Sequence, residues 1–357
     1  MTIHRAWKVS RLARARSGRR LTAGIAVAGI AVLATGGTAP AVAAVTVTDL
    51  GTLPGDTVSS AAAINDQGTI IGDSQSASGV SRAVRWDSRG AITELPVLPG
   101  DTFSVADAIS ADGTIVGSAG AVQGDGTAVR WNRNGSVTSL AAVPGYPYSN
   151  ATAISNRGVI VGSARSSTMF SAVRWNPGGS VTDLAGLPGG SFSDATSVND
   201  EGVIVGFSYT SSGAPHAVRW SPAGTLTDLG VSPGYIASSA VSINDDGTII
   251  GYEVTAAFQF AAVRWSRTGA VTVLGTLPGY PVGAPAAINR HGTIVGLAAT
   301  ASNQSVAVRW GRDGAATSLS ALPGATSSGA NDINDEGAIV GFATTSGGQM
   351  NAVEWRQ

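Results

Sequence analysis

The chain has 357 residues, with 22 basic and 23 acidic side chains, 48 glycines and no cysteine, and its one lysine is Lys8. Disulfides and cysteine catalysis are excluded. A hydrophobic content of 43% beside a charged content of 13% argues for packed sheets over disorder.

Residues 1–43 read as an export segment. Arg5, Lys8, Arg11, Arg14, Arg16, Arg19 and Arg20 precede the apolar run Leu21 to Ala34, and Ala41-Val42-Ala43 offers small residues to a peptidase, the order of a secretory signal peptide. The run is shorter than the roughly 20 residues of a spanning helix. Cleavage near Ala43 and a mature chain without a transmembrane segment are therefore expected. Arg19-Arg20-Leu21 leaves twin-arginine export as the alternative to the general route. Seven basic residues and no acid lie before Ala44, so the rest of the chain holds 15 basic against 23 acidic residues, a balance of −8. Nucleic acid is not an expected partner.

From residue 45 onward the chain repeats itself. Trp86, Trp131, Trp175, Trp220, Trp265, Trp310 and Trp355 stand 44 or 45 residues apart. Within one unit, Ala61 to Ile64 is a short apolar run, Asn65-Asp66-Gln67-Gly68 a tight turn, and Thr69-Ile70-Ile71-Gly72 a β-branched strand. Arg82 to Trp86 predicts a third strand, Asp87-Ser88-Arg89-Gly90 a second turn, and Ala91 to Leu95 a fourth strand. Leu98-Pro99-Gly100 ends the unit, and because proline has no donor for a ladder this element links one sheet to the next. Apolar spacing of the helical kind is absent beyond the export segment, so almost no helix is expected. Four antiparallel strands in about 45 residues, seven times over, predict an all-β, seven-bladed β-propeller over 45–357.

The strand order resembles WD-repeat propellers, although the Trp-Asp pair occurs only as Trp86-Asp87. The chain is more similar to the bacterial extracellular proteins with HAF repeats. Ile288-Asn289-Arg290-His291-Gly292-Thr293-Ile294-Val295-Gly296 and Thr48-Asp49-Leu50-Gly51-Thr52-Leu53-Pro54-Gly55 carry that likeness, which extends over the whole mature chain. The resemblance implies a secreted repeat protein and brings no catalytic residue with it.

The ends predict how the ring closes. Val45 to Leu50 reads as a fourth strand without its blade, and Ala352 to Trp355 as a third strand without a fourth, so 45–53 and 326–357 are expected to share one sheet.

The arginines before the tryptophans, from Arg85 to Arg309, are read as blade-to-blade links to turn acids such as Asp66, Asp200 and Asp245. The tryptophans are read as packing between blades. His216 and His291 fall on opposite faces, which leaves no triad, and neither a metal nor a cofactor is expected. Asp107, Asp194 and Asp332, beside Asn150 and Asn331, sit on inner strands as candidate channel-lining carboxylates. A paired-carboxylate enzyme acting on polysaccharide is one reading of them, and hydrated channel lining the other. Tyr146, Tyr235 and Tyr280 follow the linking Pro-Gly, on the face that also receives Phe170, Tyr209, Phe258 and Phe260. They are candidates for recognition of a cell-wall glycan or an extracellular protein, or else for cover of their own blade edges. The expected role is noncatalytic binding or scaffolding by a monomer, with a polysaccharide-active enzyme or a purely structural surface or matrix protein as alternatives.

Overall fold

Seven sheets of four antiparallel strands follow one another along the chain. The computed structural model describes residues 46–122 and 125–356, so the expected export segment and its cleavage point lie outside the described residues. Blade 1 is built from Asp56–Ile64, Ile70–Ser76, Ser81–Trp86 and Ile92–Glu94, from the innermost strand outward. Blades 2 to 6 repeat this order and take their names here from Trp131, Trp175, Trp220, Trp265 and Trp310 in turn. The innermost strands of successive blades touch, and that of blade 7, Ala325–Ile333, touches that of blade 1. The fold is thus a closed seven-bladed β-propeller, with no helix among the described residues.

Blade 7 is closed by both ends of the chain. Thr46–Asp49 pairs antiparallel with Met350–Arg356, Val47 opposite Trp355 and Thr48 opposite Glu354. A sheet edge at each terminus is removed by this one pairing.

The Ile-Val-Gly motif has a steric cause. Each inner strand carries a β-bulge opposite the motif glycine, as between Ala151 and Ala153. The bulged strand presses a carbonyl against the second strand, and a Cβ on Gly162 would fall 1.9 Å from the oxygen of Asn150. Only glycine fits there.

Between blades, the core is apolar and stapled by hydrogen bonds. The seven tryptophans of the repeat are fully buried, and Trp131 Nε1 donates to the oxygen of Pro96 at 2.7 Å, fixing the link that enters its blade. Five others do the same, whereas the Nε1 of Trp265 is buried without an acceptor. A serine near the start of six inner strands accepts a main-chain N–H from the preceding blade, as Ser104 Oγ does from Ala83 at 2.9 Å. Gly283 takes that place in blade 6. The arginines do link blades, but through carbonyls and not through the turn acids expected from sequence. Arg174 donates to the oxygen of Pro222 at 2.8 Å and Arg264 to that of Arg312 at 2.9 Å. The acids are unavailable to them because they serve the main chain of neighbouring turns.

Candidate functional site

The two faces of the ring are made of different parts of the repeat. One receives the turns between first and second and between third and fourth strands, and is called the turn face. The other, the link face, receives the loops between second and third strands together with the Leu-Pro-Gly links.

On the turn face each inner strand ends on Ile64, Ile109, Ile154, Val198, Ile243, Ile288 or Ile333, and these seven side chains ring the axis. The next residue is asparagine in five blades, and its side chain serves two blades at once. Asn244 Oδ1 accepts the N–H of Thr248 in its own turn at 2.9 Å, while Nδ2 donates to the oxygen of Asn289 in the next blade at 3.1 Å. Asn65, Asn199, Asn289 and Asn334 do likewise. One residue further on runs a second belt, in which a turn N–H donates to the side chain of the following blade. Ala111 reaches Asn156 at 2.7 Å, Asn156 reaches Asp200 at 2.6 Å, Asp200 reaches Asp245 at 2.8 Å, Arg290 reaches Asp335 at 2.9 Å, and Asp335 reaches Asp66 at 2.9 Å. The belt is broken where Ala111 and Arg290 offer no acceptor.

These residues wall an axial pocket of about 200 Å³. Burial raises the carboxyl of Asp245, and the neighbouring charges of Asp200, Asp335 and Glu201 raise it further. Asp332 lines the same pocket and is pushed up to about 7, chiefly by burial. Its two oxygens accept the N–H groups of Ile64 and Ile333, each at 2.9 Å. Of the three carboxylates singled out in the sequence, only Asp332 lines this pocket. Asp194 is buried in blade 4, and Asp107 sits at the bulge of blade 2, where other blades place Thr152, Thr196 or Asn331 to reach a main-chain oxygen across the blade interface. No cluster suited to a metal ion occurs among the described residues.

The link face is aromatic over part of its circumference. Phe170 of blade 3 approaches Phe192 of blade 4 with ring centroids 5.8 Å apart, and Tyr209 lies 5.4 Å from Phe192 and 6.1 Å from Phe207. In blade 5, Phe260 stands 5.5 Å from Tyr252. Burial raises the hydroxyls of Tyr209 and Tyr252, and Tyr209 contributes to the shift of Tyr252. Two of the three linking tyrosines pack inward, Tyr146 onto the core of blade 3 and Tyr280 onto that of blade 6. Tyr235 is not on a loop, because the inner strand of blade 5 begins at that residue and pairs it with Thr255. Phe192, Phe207 and Tyr252 were not singled out in the sequence, since each stands beside small residues in a strand pattern and its ring partner is set by strand register or, for Phe170 and Phe192, by the approach of two blades.

Phe258 stands apart. It is 51% exposed and its backbone has φ +58°, in the left-handed region. The corresponding turns use Gly79, Gly213, Asn303 and Gly348 at that conformation. A bulky side chain there is strained, and such strain concentrates where a site needs the side chain.

No family model matches the chain, and no curated protein matches it in sequence. Solved structures do match in shape. Virginiamycin B lyase from Staphylococcus aureus aligns with a TM-score of 0.55 at 15% identity, covering 88% of this chain and 99% of the lyase. A streptogramin B lyase aligns at 0.56 and 14%, covering 87% and 98%, and a prolyl endopeptidase at 0.58 and 10%, covering 84% and 50%. At such identities the likeness is one of fold, and what it shows is a seven-bladed β-propeller.

Proposed function

We propose that this chain is a secreted, noncatalytic propeller of the HAF-repeat kind that binds a cell-wall glycan or an extracellular protein through its link face. The observation that carries this reading is Phe258, an exposed ring in a backbone conformation that the equivalent turns give to glycine or asparagine. The aromatic arc from Phe170 to Phe260 supplies rings that stack on apolar faces, with the hydroxyl of Tyr209 for polar groups. The similar structures include lyases and an endopeptidase, so the fold on its own assigns no reaction. A glycan array and pull-down of extracellular proteins test the reading, each run on the wild type and on Phe258→Gly. Retention by the wild type and at least a fivefold loss in the variant is expected, about 1 kcal/mol for an interface aromatic. Equal binding by both overturns it. Export is tested separately by N-terminal sequencing of the secreted protein, expected to begin next to Ala43.

Asp332 favours one second reading, a polysaccharide-active enzyme using channel carboxylates. An acid near neutrality in a polar axial pocket is suited to proton transfer. A hydrolase screen comparing wild type with Asp332→Asn decides it, turnover lost in the variant being the supporting result.

A further inference from the structure

Outer strands of propeller blades are open edges, and six of the seven here share a polar device that blade 5 lacks. The residue after the outer strand's last threonine is Asp49, Glu94, Asp183 or Asp228 in four blades and Ser139 or Ser318 in two. The acids meet polar partners on the adjacent strand. Arg82 reaches Glu94 at 3.1 Å, His216 reaches Asp228 at 2.9 Å, Asn351 reaches Asp49 at 2.5 Å, and Ser171 bonds Asp183. Charges at an edge discourage pairing with another chain.

In blade 5 the outer strand is Val271–Val273 and the residue in the place of Arg82 is Ala261. Val273 is 57% exposed and Val271 38%. Among the described residues, nine large apolar side chains are exposed, and five of them, Val231, Ile236, Phe258, Val271 and Val273, belong to blade 5 or the link entering it. The strand reads Val-Thr-Val in either direction. In an antiparallel pair with its own copy, centred on Thr272, each Val271 would face a Val273 with no charge opposed. The same pairing at the Val-Thr-Asp, Leu-Thr-Asp or Ile-Thr-Glu edges would set a carboxylate against an aliphatic side chain.

We infer that the outer strand of blade 5 is a homotypic edge, by which two copies of this chain join across a two-fold axis through Thr272. The chain is then a two-fold dimer at sufficient concentration, in place of the monomer expected from sequence. The pairing is independent of the recognition proposed for the link face.

The test is sedimentation velocity of the full chain over a concentration series. A shift from monomer to dimer is expected below about 1 mM, the limit at which association has weight. Val273→Asp, which restores the acid of the neighbouring edges at an exposed position, is expected to raise the dimer dissociation constant at least tenfold with an unchanged melt. Val271→Lys combined with Val273→Asp places opposite charges face to face in the proposed register and is expected to restore the dimer. A wild type that stays monomeric throughout, a Val273→Asp variant that dimerises as before, or a double variant that fails to recover dimerisation would each overturn the proposal.

Discussion

The turn face and the link face are built from the same repeat, yet they use it in opposite ways. On the turn face the asparagines around the axis are engaged by the next blade, so that Asn65, Asn199, Asn244, Asn289 and Asn334 form a belt from one repeated hydrogen bond. On the link face the repeat lapses. Phe258 of blade 5 stands where equivalent turns carry Gly79, Gly213, Asn303 and Gly348, and Tyr209 of blade 4 stands where other blades carry Gln75, Gly120, Arg165, Val254, Ala299 or Thr344. A feature present in all blades holds the ring together, whereas a feature confined to two adjacent blades does nothing for closure and is free to serve recognition.

The comparison is broken most severely at the seam. Deleting residues 45–50 removes the outer strand of blade 7 and leaves the edge of Met350–Arg356 unpaired, so the melting temperature of the remaining body should fall by roughly 10 °C or more. An unchanged melt would show that the termini contribute nothing to closure. Gly162→Ala is next in size. Its Cβ would meet a backbone oxygen that no rotamer change relieves, and a loss of about 3 kcal/mol in denaturant unfolding is expected.

Asp332 sharpens the comparison through pH. Its folded carboxyl titrates at about 7 against 3.8 unfolded. An acid raised in this way stabilises the fold fully below the unfolded value, and that contribution is lost as pH rises through 7. Blades 4 and 5 use Ser197 and Ser242 at this place. Asp332→Ser should therefore flatten the decline in stability between about pH 4 and 7, measured by unfolding at each pH. A slope equal to that of the wild type would exclude Asp332 as its source. A smaller effect belongs to Ser104→Ala, which leaves the buried N–H of Ala83 without its acceptor and should cost about 1–2 kcal/mol.

Sequence carried the scaffold further than the site. The tryptophan period, the Pro-Gly links and the split blade were legible because each depends on residues that recur at one spacing or on strands whose partners are missing. The Ile-Asn-x-x-Gly turn was legible as a turn only. That Asp200 and Asp245 accept main-chain N–H groups, and leave the arginines to carbonyls, depends on how neighbouring turns abut around the axis. Tyr146 and Tyr280 drew notice by their place after the linking Pro-Gly, but the depth of their packing follows from the blade edge beneath them. The strain at Phe258 had a trace in sequence, a phenylalanine where equivalent loops carry Gly79, Gly213 or Gly348, and it became visible once the loops were aligned by structure.

The central claim is that departures from the repeat serve recognition and not stability, and the melting temperature of Phe258→Gly tests it most directly. Glycine adopts φ +58° without strain, and the ring that is lost is half in solvent. The account predicts a melting temperature equal to that of the wild type or higher. A fall of more than about 3 °C would mean that the ring supports its blade, and would contradict the division between scaffold and recognition surface.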